Sequence, residues 1–167
     1  VGLLRYLNAQ GVIAAGMKPV ASGCERTPEG YLRNEDAMLI RDASALDLPY
    51  TLVNPFPFEP PIAPHIAAAR AGVVIEMETI LACFNRIADQ ADCVVVEGVG
   101  GWEVPVGENA GMPDLARALG LPVILVVGLR LGCINHALLT ANAARMRGLQ
   151  LAGWVANRVE TPVDEEQ

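Results

Sequence analysis

Apolar residues recur along this chain in two patterns. From Met77 to Ala91 they fall at Met77, Ile80, Leu81, Phe84, Ile87, Ala88 and Ala91, steps of three and four that place them on one face of an α-helix. The same spacing joins Met112, Leu115, Ala116 and Leu119, with Pro113 suited to a first turn, and joins Ile134, Ala137, Leu138, Ala141 and Ala144. Unbroken apolar runs at residues 12–17, 93–96, 123–127 and 151–156 read as strands. Helices are also expected before Gly11, over 34–43, and over 63–71 up to Gly72. Residues 21–30, rich in Gly, Pro and Ser, read as a loop, and the prolines within 54–61 make that stretch an extended connector. Strands alternating with helices predict βαβ units. The expected fold is α/β, a mostly parallel sheet with helices on both faces.

Composition narrows the picture. Of 167 residues 52% are hydrophobic and mean hydropathy is +0.33, which suits a single domain over 1–167 whose strands are buried on both faces. A net charge of −7 argues against nucleic-acid binding. No apolar run is long enough to span a membrane, and the opening residues lack a signal peptide's pattern. Cys24, Cys83, Cys93 and Cys133 have no metal-ligand spacing, so free thiols are expected, with Cys83 and Cys93 buried, in a reducing cytoplasm. The chain opens as if in mid-helix and closes in a polar segment, so structure is expected to be missing at both ends.

In open α/β sheets ligands bind beyond the carboxyl ends of the strands. Here those ends carry Lys18, then Glu97 before Gly98, Gly100 and Gly101, then Gly128, then Asn157 and Arg158. A cation, a carboxylate, glycine-rich backbone and an amide on one edge suit a phosphorylated ligand with a divalent metal. Lys18, the only lysine, is either a solvated strand-end charge or a point charge for a transferring phosphoryl group. Glu97 directly follows three valines; it either caps the next loop or holds Mg²⁺. Asp36 on its own reads as a helix-start acid. The helix opening at Cys133, Ile134 and Asn135 offers free N–H groups to an anion; His136 reads as a packing residue and Cys133 as an unactivated thiol. Residues 11–18 mimic part of a phosphate loop, but Met17 stands where that motif needs Gly.

Six collinear blocks carry a resemblance. They are Lys18-Pro19-Val20-Ala21-Ser22-Gly23, Asn34-Glu35-Asp36-Ala37, Pro64-His65, Val96-Glu97-Gly98-Val99-Gly100-Gly101-Trp102, Leu131-Gly132-Cys133-Ile134-Asn135-His136-Ala137 and Leu151-Ala152-Gly153-Trp154-Val155-Ala156-Asn157. The chain resembles the dethiobiotin synthetase family. That resemblance implies a P-loop NTPase-like fold and a cytoplasmic homodimer. It also implies an ATP- and Mg²⁺-dependent reaction of 7,8-diaminononanoate with CO₂ or bicarbonate, in which a phosphorylated carbamate closes to the ureido ring of dethiobiotin. Lys18 would then be catalytic, and Ser22 would bind substrate. Asp36 and Glu97 would hold Mg²⁺ and ATP, while Gly98, Val99 and Gly100 line the nucleotide and Asn157, with Arg158, reaches it at the adenine. Cys133, Ile134 and Asn135 would receive the substrate carboxylate from the partner subunit.

The family's Gly-x-x-x-x-Gly-Lys-Thr loop would precede Val1 and a later nucleotide segment would follow Gln167, so residues 1–167 alone are expected to be inactive. Alternatives are a related-fold amidotransferase or ligase such as one amidating cobyrinate, a switch ATPase, or a catalytically dead paralogue. The Lys-Pro-Val-x-Ser-Gly loop disfavours the first, and the absence of a basic amphipathic helix disfavours the second.

Overall fold

The computed structural model describes residues 1–107 and 110–158, and the chain divides into a unit from Val1 to Leu115 and another from Ala116 onward. The polar closing segment from residue 159 lies outside the described residues.

In the first unit α1 (Gly2–Ala9) ends before Gly11, whose φ of 81° reverses the chain into β1 (Ala14–Met17). β1 is small-residued and wholly buried, and it pairs in parallel with β6 (Cys93–Val96). The small residues matter because helices press on the strand at Gly16. A Cβ there would lie 2.7 Å from Leu4 Cδ1 of α1 and closer still to Ile40 of α2 (Glu35–Asp42). The stretch expected to be a loop begins instead as β2 (Val20–Ser22), and the proline-rich connector supplies its parallel partner β5 (Phe56–Phe58). Pro57 is tolerated because, among the described residues, β5 pairs with β2 alone. β3 (Glu25–Arg26) and β4 (Leu32–Arg33) form a small antiparallel hairpin. α3 (Tyr50–Val53), too short to show a period, was not foreseen. α4 (Pro64–Ala71) stops at Gly72 in the left-handed region, and α5 (Met77–Ala88) buries Ile80 and Ile87.

α6 (Met112–Leu119) leads into the second unit, where β7 (Val123–Gly128) pairs in parallel with β8 (Leu151–Asn157) and α7 (Cys133–Met146) packs against both. The fold class is α/β, as expected.

The burial expected of the strands is found in β1 but not in β6, β7 or β8. β6 is half-buried throughout, Ile124 and Val126 on β7 are exposed, and β8 is exposed beyond Leu151. The reason is local. In β7, half-buried and exposed residues alternate because one helix covers one face of a two-stranded ladder. An apolar run states what a strand could bury, not what its own unit brings to cover it. Cys83 and Cys93 are likewise half-buried; only Cys24 is buried, and all four cysteines are free thiols. Among the described residues no helix is long and apolar enough to cross a membrane.

Candidate active site

The register of β1 and β6 builds the site. Met17 lies opposite Val96, and the Glu97 N–H donates to the Met17 carbonyl at 2.8 Å, so the next residues, Lys18 and Glu97, emerge side by side. Pro19 holds Lys18 extended. The Lys18 main chain is tied at both polar atoms, its N–H donating to Val53 O at 2.9 Å and its carbonyl accepting from Asn54 Nδ2 at 2.6 Å.

The side chain of Lys18 is only 7% exposed. A buried ammonium is tolerable only with its charge and its three protons answered. Glu97 Oε1 at 2.5 Å and the Gly98 carbonyl at 3.2 Å accept hydrogen bonds from it, and Asp36 Oδ2 at 3.4 Å adds an ion pair. Asp36 arrives through α2. Asn34 caps that helix, its Oδ1 accepting from the Ala37 N–H at 3.1 Å, and Glu35 and Asp36 sit in the first turn where the helix dipole favours acids. Both carboxylates face solvent, with side chains 59% and 46% exposed. The structure therefore assembles a buried cation beneath two accessible acids.

Among the described residues no group of three His, Cys, Asp or Glu is gathered for a metal. An acid pair with open lone pairs nonetheless fits Mg²⁺, which commonly takes one or two protein carboxylates and completes its shell from phosphate and water. After Glu97 the chain stays close-packed. A Cβ on Gly98 would meet Met112 Cε at 2.9 Å, and one on Gly100, at φ 68°, would meet Val104 Cγ2 at 3.1 Å. Backbone is thus what Gly98 and Gly100 can present. Ser22 ends β2 with its hydroxyl buried and unpartnered, leaving a donor and acceptor for a ligand.

The remaining candidates share a rim in the second unit. Asn157 pairs in register with Gly128 at the strand ends, with Arg158 next to it and exposed. A cleft of about 340 Å³ is lined by Val127, Gly128, Arg130, Cys133 and His136. α7 starts there after Gly132 with no side-chain cap, which leaves the N–H groups near Ile134 and Asn135 available. Arg130 adds a cation that no motif had singled out. The sequence pattern likewise offered no role for Tyr50 or Asn54, both buried near Lys18. Their place in a largely apolar stretch, with Thr51 as the other polar residue, was the one available signal.

A family model described as an AAA domain matches residues 1–167, which sets the class: a P-loop NTPase-like α/β protein. "ATP-dependent dethiobiotin synthetase BioD" of Xanthomonas oryzae pv. oryzae (strain PXO99A) is 52% identical over 162 residues, 97% of this chain and 72% of that protein. The protein of the same name from Aromatoleum aromaticum (strain DSM 19018 / LMG 30748 / EbN1) is 54% identical over 158 residues, 95% of this chain and 70% of its own length. The chain belongs to the dethiobiotin synthetase family.

Proposed function

We propose that this chain serves the ATP-dependent ring closure of 7,8-diaminononanoate with CO₂ to dethiobiotin, a ligase step of biotin synthesis. The observation that carries the reading is the Lys18 ammonium held among Glu97 Oε1, Asp36 Oδ2 and the Gly98 carbonyl at adjoining strand ends. One amine adds to CO₂ and gives up a proton to form a carbamate, whose oxygen takes the terminal phosphoryl of ATP, an O–P bond forming as the bond to the departing ADP breaks. The second amine attacks the carbamoyl carbon; a C–N bond forms, the C–O bond to phosphate breaks, and phosphate leaves with the electron pair while the amine gives its proton to solvent.

In this reaction Lys18 exchanges carboxylate partners for phosphoryl oxygens and opposes the charge that grows on them, an interaction strongest in the transition state. Asp36 and Glu97 would hold Mg²⁺, which supplies charge neutralisation at the phosphates. Ser22 orients the diamine, residues 98–100 offer main chain to the nucleotide, and Asn157 with Arg158 holds it at the base. Cys133, Ile134 and Asn135 take the substrate carboxylate, completing the site across a cytoplasmic homodimer. The test is incubation of the full-length protein with the diamine, ATP, Mg²⁺ and labelled bicarbonate. Label in a cyclic urea, with one phosphate released per ring, is expected; phosphate release without labelled urea overturns the reading.

A further inference from the structure

A directed chain of buried hydrogen bonds runs from the start of α2 to the backbone of Lys18. The Asn34 N–H donates to Tyr50 Oη at 2.8 Å, the Tyr50 hydroxyl donates to Asn54 Oδ1 at 2.9 Å, and Asn54 Nδ2 donates to the Lys18 carbonyl at 2.6 Å. Its polarity is forced. A main-chain N–H can only donate, so the tyrosine must accept it and pass its own proton onward. A carbonyl can only accept, so the amide nitrogen of Asn54 must face Lys18 and its oxygen the tyrosine. All three residues are buried, Asn54 to 1% exposure. Burial also pushes the Tyr50 hydroxyl above its ordinary 10.0, which keeps the donated proton in place. The Arg33 guanidinium lies 4.2 Å from the Tyr50 ring centre and covers it.

Both ends of the chain reach the site. Asn34 caps α2 and so fixes the turn that carries Asp36. At the other end stands the residue whose ammonium meets Asp36 Oδ2 at 3.4 Å. The path therefore closes on itself: Lys18 carbonyl, Asn54, Tyr50, Asn34, α2, Asp36, Lys18 ammonium. Aligned bonds in a low-dielectric interior reinforce one another, and removing one member leaves a buried group unpaired.

We propose that Asn34, Tyr50 and Asn54 are a positioning relay that sets the separation of the Lys18 ammonium from the Asp36 carboxylate. They are positioning residues because they act through Lys18 and Asp36. For its kinetic consequence the relay rests on the function proposed above; for its structural consequence it does not.

Tyr50→Phe removes one oxygen from the relay in the full-length protein. Two readouts are taken, with Ile87→Val, a buried change on α5, as a control. The first is the side-chain ammonium resonance of Lys18, identified as the one lost in Lys18→Arg. It is expected to shift or broaden in Tyr50→Phe and to stay in place in Ile87→Val. The second is turnover: kcat is expected to fall about tenfold, roughly the value of one lost hydrogen bond, with KM for ATP nearly unchanged. In an Asp36→Asn background the same substitution is expected to cost less than about threefold, because the distance it sets no longer matters. An unmoved ammonium signal overturns the proposal, as does a full, multiplicative loss in the Asp36→Asn background. If the wild-type protein makes no labelled urea, the function falls while the ammonium signal still decides the relay. Should Tyr50→Phe not fold, Asn54→Ser breaks the next bond and is judged by the same signal.

Discussion

Lys18 and Glu97 meet at 2.5 Å, and Arg26 and Glu59 meet at 2.7 Å, yet the two ion pairs do different things. Arg26 and Glu59 are more than half exposed on and beside the β3–β4 hairpin, where water answers each charge if the other leaves. Such pairs contribute roughly 0–1 kcal/mol. Lys18 is almost fully buried, so its charge depends on the oxygens around it, and only groups of matching charge can replace them. Glu97 and Asp36, by contrast, remain open to solvent. The contrast teaches that contact distance does not rank ion pairs. Burial of one partner beneath exposed acids leaves a cation that only another anion can satisfy, which is what the proposed function asks of it; two exposed partners make a surface contact.

The comparison can be broken most directly at Lys18. Lys18→Gln keeps much of the volume and removes the charge; kcat is expected to fall about 10²–10³-fold, as when a transition-state donor is lost, with the circular-dichroism spectrum retained. Near-normal turnover would reduce Lys18 to the rank of Arg26. Beneath the pair, Gly16→Ala sets a methyl against Leu4 and Ile40, and about 1–3 kcal/mol of stability should go in urea titration. An unchanged midpoint would mean that α1 and α2 do not press on β1. Glu97→Gln is expected to raise the Mg²⁺ concentration for half-maximal rate about tenfold. Unaltered Mg²⁺ dependence would make Glu97 a partner for Lys18 and nothing more.

Alkaline pH probes the buried surroundings of the Lys18 pair. Burial raises the Cys24 thiol above its ordinary 9.0 and the Tyr50 hydroxyl above 10.0. The folded state then holds protons that the unfolded chain releases. Their contribution is complete below pH 9.0 and is lost as pH rises through the folded values. Melting temperature should decline above that point, and less so in Cys24→Ala; a flat profile would contradict the buried assignment. The smallest effect belongs to the other pair. Arg26→Ala gives up Glu59 and the Gly30 carbonyl, both in exposed bonds, and should change stability by less than about 1 kcal/mol, measured by the same titration.

Much of this was legible in the residues. The period of α5 and the apolar runs of β1, β6, β7 and β8 are local properties, and local patterns survive folding. Lys18 and Glu97 stood out as charges ending apolar runs, where a charge needs a reason. Asp36 did not stand out, since an acid in a first helical turn explains itself through the dipole. Nor did Ser22, whose segment looked like a loop; its pairing with residues from β5 is invisible to a short window. The incomplete burial of β6, β7 and β8 was hidden for the same reason.

The order of residues alone settled the α/β alternation, the kinds of group at each strand end and the family motif around them, because each of these is written within a few consecutive positions. Only the folded chain decided that Lys18 and Glu97, 79 positions apart, share one step of a parallel register, and that Asn54 reaches back 36 positions to hold the Lys18 carbonyl. Those facts depend on which strands pair and which helices close over them. Pairing is chosen by the summed burial and hydrogen bonding of the whole unit rather than by any segment in isolation.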